Sequence, residues 1–415
     1  MIAENNINLK NQRNPLYWVI FFIVFFISDD TFTFGTNPNI IFILSKYIAY
    51  FFILILLFQK VKLKVFILPS KAVLTLYFII FAVVTTIFLN FQISGGYIYQ
   101  IWIALLAFLI TQYIPQKDLV NTYLKFLYFI SLVSIIVFII AMFLPSLLTI
   151  FPISVNENDA SFYNLGICLV FNDGEVRNTG IFREPGVFMI YLTIGVLFEL
   201  FIKEKINNRY LFVFLTALFL TLSTAAYIIL GLVCFAYLFR ANSRSNFKNK
   251  LLIMGVAVVA IIVIALSPNI YSKLFDKIGK DSINEGSSLA RGASVLVNLN
   301  IFVDNPVGGV GIKDFPSSFE TYSLKLFSLA LSSENNTNTI TTIFAVYGIV
   351  LGIIFIFMVI NLVNKFSKSI IISALLFLVF MMLFSNEDLR YSLMTFVLLF
   401  WGLKYEQVKD SLIKN

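Results

Sequence analysis

The residues best suited to chemistry in this chain are few, and they stand at the edges of apolar runs. The sharpest local feature is Asn178-Thr-Gly-Ile-Phe-Arg-Glu-Pro-Gly186, where Arg183 and Glu184 end a polar stretch and Pro185 opens the next apolar run. Proline suits the first turn of a helix. An arginine just outside a helix N-terminus adds its five donors to the helix's own positive end, a combination suited to phosphate or pyrophosphate. The plainer reading of such an arginine is snorkelling to lipid headgroups. Glu184 is the first candidate for a general base, and its alternative role is an ion pair that holds Arg183 in place. Asp173, Glu175 and Asp304 are weaker candidates.

A second feature is Leu289-Ala-Arg-Gly292 followed by Phe302-Val-Asp-Asn-Pro-Val-Gly-Gly-Val-Gly311. Arg291 repeats the theme of a cation beside an apolar run. Gly308, Gly309 and Gly311 would let backbone approach a ligand closely, whereas Asn305-Pro306 and paired glycines more often mean only a tight turn. The chain has no histidine and two cysteines. No zinc-ligand spacing, Walker A loop or dinucleotide motif is present, so neither a metal nor a cofactor is expected, and ATP-driven transport has no support.

The elements that position these residues are apolar. Hydrophobic residues make up 59% of the 415 positions and charged ones only 13%, about half the charge of a soluble domain. Apolar runs long enough for a ~30 Å hydrocarbon core recur from end to end. The fold class expected is therefore all-α, a polytopic helical bundle forming one membrane domain over 1–415, with about twelve spans at 16–28, 40–58, 72–90, 97–113, 126–144, 185–202, 210–222, 225–239, 251–267, 339–362, 369–385 and 391–403. The first is followed by Asp29 and Asp30 without a small-residue cleavage pattern, and reads as a retained anchor. The apolar stretch 210–239 would reach about 45 Å as one helix, so it reads as a hairpin turning at Ser223 and Thr224.

The net charge of +8 comes from small basic groups between apolar runs, which is a topological signal and no footprint for nucleic acid. With Lys60, Lys62, Lys64, Lys117, Lys125, Lys365 and Lys368 on the cytoplasmic side, both termini are cytoplasmic too. The two long polar segments, 145–184 and 268–338, then lie outside the membrane as loops, and function is expected there. Lys46 is left inside the second span, and Glu199, near a helix end, reads as reaching headgroups.

The order FREPG, then LSTAAYIILGL, then an arginine followed by NPVGGVG, then an Asn-rich stretch entering a helix with Tyr-Gly resembles Wzy-type O-antigen and capsular polysaccharide polymerases. The resemblance covers roughly 175–350 and reaches a superfamily shared with O-antigen ligases. It implies an enzyme of the bacterial inner membrane whose outer-facing site takes an undecaprenyl-pyrophosphate-linked oligosaccharide, with the bilayer and a chain-length regulator as further partners. Arg183, Glu184 and Arg291 would be catalytic, with Arg177, Asn305, Gly308, Gly309, Gly311 and Asn338 around the substrate. Ligases resemble one another in a His-Asn pair before the helix that begins near Thr339. This chain reads Thr337-Asn338 there, which favours a polymerase and moves the acid/base role to a carboxylate. A flippase is the rival of a different class; it would hold functional charges near the midplane of its spans, where this chain has few.

Overall fold

In a computed structural model the chain is described at residues 15–36, 39–62, 64–67, 70–155, 161–171, 176–240, 255 and 286–404. The first half holds the helices Pro15–Phe26 (α1), Phe32–Gly35 (α2), Ile40–Lys60 (α3), Lys64–Ile67 (α4), Lys71–Asn90 (α5), Gly95–Tyr113 (α6), Gln116–Phe143 (α7) and Pro185–Leu197 (α8). A π-helical turn, Phe198–Ile202, continues α8. Then come Asn208–Leu220 (α9), Thr224–Leu238 (α10), Gly286–Asp304 (α11), Gly311–Phe327 (α12), Thr339–Phe366 (α13), Ile370–Asn386 (α14) and Leu393–Leu403 (α15).

Six of these helices are long and apolar enough to cross a membrane: α3, α5, α6, α7, α8 with its π turn, and α13. Shorter apolar helices fall on the expected spans at 16–28, 210–222, 225–239, 369–385 and 391–403, while 251–267 lies outside the described residues. The stretch 210–239 does break, with Ser223 as the N-cap residue of α10. At the centre, α8 is buried on every side, so its thirteen residues show no amphipathic stripe. The outer helices α3 and α5 instead expose Ile48, Phe52, Phe78 and Phe81 to the hydrocarbon they would meet in a bilayer.

Two expectations need amendment. The all-α class is incomplete, because segment 145–184 carries a three-stranded antiparallel sheet in the order β1-β2-β3, formed by Ile153–Val155, Ser161–Asn164 and Leu169–Phe171. Phe162 and Leu169 of this sheet pack on Phe32 of α2, and the Leu169 N–H donates to the Gly180 carbonyl, fastening the sheet to the segment that leads into Arg183. Segment 268–338, read as a loop, contains α11 and α12. Their buried stripes run Ser294, Val297, Asn298, Ile301 and Phe315, Phe319, Ser323, a helical period hidden because serine and asparagine fill positions that oil would mark.

Two lone charges also find places. Lys46 is buried, its Nζ 2.5 Å from Asp29 Oδ1 and bonded to the Phe34 carbonyl, while Tyr99 donates to the other Asp29 oxygen. Glu199 does not reach headgroups: it is 1% exposed and accepts from the Asn207 N–H. Breaking a buried pair from one side strands the other charge at a cost of about 3–5 kcal/mol. Lys46→Met should therefore lower the thermal midpoint of the purified protein more than the Lys46→Met/Asp29→Leu double does. Equal midpoints for Lys46→Met and the unaltered chain would show that the pair carries no stability.

Candidate functional site

The FREPG segment is held at one end of the bundle by chain that is remote in sequence. Thr31 and Phe182 form an isolated antiparallel bridge, and the Arg183 N–H donates to the Asp30 carbonyl at 3.0 Å. Glu184 takes extended angles as the N-cap residue of α8, with Pro185 in the first turn, as the motif requires. Its side chain makes no capping bond and is exposed. A Cβ on Gly186 would lie 2.0 Å from Glu387 Oε1, so this glycine makes room for a buried carboxylate against the first turn of α8. Negative charge is favoured there by the helix's positive end.

Arg183 is half-buried, and its Nη2 donates to the Asp388 carbonyl at 2.7 Å. Its Nε finds no acceptor among the described residues. Burial opposes its charge, but Glu387, Asp30, Glu184 and Asp388 together outweigh this and raise its pKa above the ordinary arginine value. Beneath it Asp30 is buried, and Oδ2 accepts from Tyr191 Oη and from Ser392 Oγ, each at 2.5 Å. Burial pushes the Asp30 carboxyl up; Arg183 and the two hydroxyls offset part of that. A fixed, charged guanidinium with an unused donor, in a partly desolvated mouth, can grip an anion that gains charge during a reaction.

The segment Asn386–Ser392, between α14 and α15, is the part of this site that sequence reading missed. Thr339 Oγ1 donates to the Glu387 carbonyl at 2.5 Å and accepts from the Leu389 N–H at 2.8 Å. That clasp joins the Asn-rich entry of α13 to the residues that hold Arg183. Arg390 pairs with Asp388 at 3.0 Å and lies over the rings of Phe315 and Tyr391, at 5.3 and 5.2 Å from their centroids, bringing α12 to the same end. The available signal was Asn386-Glu387-Asp388 and Asp29-Asp30, acids crowded at the edges of apolar runs.

The other candidates have varied surroundings. Asn338 is the buried N-cap of α13, accepting from the Thr341 N–H at 2.8 Å. Just before it, Asn336 and Asn298 of α11 bond each other and Thr342. Arg177 Nε donates to the Thr221 carbonyl at the α9–α10 turn, and Asn305 Nδ2 to the Ile301 carbonyl. Asp304 is exposed and accepts from Tyr322 Oη at 2.5 Å. The close approach that Gly308, Gly309 and Gly311 permit is to protein: their Cβ atoms would meet Leu89, the Val346 backbone, and Gln92 with Tyr97. The Val310 N–H donates to the Ala345 carbonyl and the Ile349 N–H to the Pro306 carbonyl, so this turn docks into a kink of α13 at Gly348. Arg291 stands on α11, which packs on α12 and α13; its side chain, like Asp173 and Glu175, lies outside the described residues.

These features define a multi-pass membrane protein with a charged cluster gathered at one end of its helices. Residues 210–356, from the first turn of α9 into α13, match the family model described as O-antigen ligase. The match, over about a third of the chain, makes this segment similar to the O-antigen ligase/polymerase superfamily, whose members are glycosyltransferase-like enzymes. No curated protein and no solved structure matches the chain.

Proposed function

We propose that the chain is a polysaccharide polymerase that joins undecaprenyl-pyrophosphate-linked oligosaccharide units on the outer face of the inner membrane, in O-antigen, capsule or exopolysaccharide synthesis. The observation that carries this reading is Arg183, half-buried at the mouth of α8 with an unused Nε, in a chain without histidine. A sugar hydroxyl of one lipid-linked unit attacks the anomeric carbon of the growing chain. The anomeric carbon–oxygen bond breaks, undecaprenyl pyrophosphate leaves with the electron pair, and the hydroxyl proton passes to a base. Arg183, with Arg291 and less directly Arg177, neutralises charge growing on the pyrophosphate. Glu184 is favoured as the base because it is exposed beside Arg183, whereas Glu387 is buried against Gly186. Asn338 and the Asn305–Gly311 turn act by placing α13, α11 and α12. Both termini are assigned to the cytoplasm by the basic residues of the short connections.

The ligase reading has the family description in its favour. Product analysis separates the two enzymes, since a polymerase leaves polymer on undecaprenyl pyrophosphate and a ligase leaves it on another acceptor. Deleting the gene in its host should collapse the surface-polysaccharide ladder to one repeat unit. Loss of every unit at the surface would point to a flippase. The reaction should also survive EDTA, because arginines supply the positive charge. Complete loss of polymerisation of purified lipid-linked units in EDTA, restored by magnesium, would overturn the arginine account.

A further inference from the structure

The far end of α8 carries a second charged feature that the proposed reaction does not use. Eighteen residues from Pro185 to Ile202 put it about 27 Å from the arginine site at ~1.5 Å per residue. There α7, the π turn, the 203–207 connection and the start of α9 line an open cavity of about 480 Å³, whose lining includes Lys125, Lys203, Lys205 and Arg209. Lys205 and Arg209 are exposed at its rim. Lys203 spends one donor on Asn121 Oδ1 at 2.8 Å, and Lys125 lies 5.7 Å from the centroid of the Trp18 ring. The positive end of α9 faces the same space.

One lining residue has the opposite sign. Glu199 is 1% exposed; its Oε2 accepts from the Asn207 N–H at 2.8 Å, and its Oε1 has no partner among the described residues. A basic rim alone would be the solvated edge that any membrane protein carries. A buried carboxylate oxygen without a donor, on a residue that lines a cleft with a cationic rim, asks for more. Left unmatched it costs free energy, and it would repel a bare phosphate. A ligand that fits offers phosphate oxygens to the cations and an adjacent hydroxyl or ammonium to Glu199.

We propose that this cavity binds a phosphate ester with a neighbouring hydrogen-bond donor, the phosphate between Lys203, Lys205 and Arg209 and the donor on Glu199 Oε1. Such chemistry comes either from a phospholipid headgroup at the membrane surface or from a soluble phosphate ester. The site is independent of the transferase reading.

The test uses the full-length protein in detergent, with dihexanoyl phosphatidylethanolamine, dihexanoyl phosphatidylcholine and glycerol phosphate as probes in native mass spectrometry. Phosphatidylcholine has the same phosphate and net charge as phosphatidylethanolamine but no donor. The ethanolamine lipid, glycerol phosphate or both should bind. Lys203→Gln/Arg209→Gln should weaken that binding at least tenfold, and Lys368→Gln, a charge loss outside the cavity, should not. The choline lipid should bind at least tenfold more weakly than the ethanolamine lipid, with the difference lost in Glu199→Gln. Tighter binding of the lipid assigns the source to the headgroup, and tighter binding of glycerol phosphate to a soluble ester. Equal affinity of the double variant and the unaltered chain, equal affinity for the two lipids where either binds, or binding of no probe would overturn the proposal.

Discussion

Arg183→Lys should leave the protein folded at normal membrane abundance and reduce polymer synthesis about 10²-fold, the usual cost of removing one preorganised donor from a transition state. The change keeps a positive charge among Glu387, Asp30 and Asp388. It removes the planar fork, of which Nη2 is spent on the Asp388 carbonyl while Nε is buried without an acceptor. Lysine has three donors on a flexible stem and cannot serve both at once with fixed geometry. Arg291→Lys should fail to a similar degree if the two arginines hold one pyrophosphate. The double variant should then be little worse than the poorer single, because groups stabilising one transition state act as a unit. Lys325→Ala, an exposed change on α12, serves as control. Polymer length on gels at matched abundance is the readout, and normal polymer from either Lys variant would remove that arginine from the site.

The largest expected effect on folding is at Gly348. Its φ of 74° with ψ of −167° belongs to a region essentially reserved for glycine. A Cβ there would lie 2.2 Å from the Val307 carbonyl oxygen and 2.9 Å from the Gly308 nitrogen, both backbone atoms that cannot swing aside. Strain and overpacking each cost about 1–3 kcal/mol, so Gly348→Ala should destabilise by at least about 2 kcal/mol. Gly231→Ala is the contrast. That position lies inside α10 with open space around the built Cβ, and alanine should gain about 0.5–1 kcal/mol in a helix interior. Thermal unfolding of the two purified variants decides the matter; equal midpoints would mean that the turn at Asn305–Gly311 is not seated in the kink.

Much of the scaffold was legible because burial in lipid leaves a coarse signal. The apolar runs that became α3, α5, α6, α7, α8 and α13 were read within a few residues, apart from α7, which starts at Gln116 where 126 was expected. Its first turns are charged and amphipathic, burying Leu119, Val120 and Tyr123, so hydropathy alone began the helix too late. The position of Arg183 and Glu184 just before α8 was legible too, since a proline at the start of an apolar run marks the first turn of a helix.

The partners of Arg183 were not legible. Asp30, Glu387 and Asp388 come from connections so short that they look like mere flanks, and only three-dimensional packing brings them to one place. Lys46 shows the same limit: a lone cation in an apolar run is unexplained until Asp29 is found opposite it. The glycine cluster shows the converse. Its spacing invited a ligand, and its neighbours are Val346, Leu89, Gln92 and Tyr97.

The hydroxyl pair on Asp30 also sets an order of events in biogenesis. Tyr191 follows Asp30 by 161 residues and Ser392 by 362. Synthesis runs from the N-terminus, so the acid enters the membrane early and the last of its hydrogen bonds waits for α15. The Asp388 carbonyl under Arg183 and the backbone groups on Thr339 arrive in the same late stretch. A nascent chain that has inserted every helix through α13 still lacks the parts that hold its guanidinium. On the proposed reading, a chain stopped anywhere before Ser392 should therefore be inactive even with most of its helices inserted.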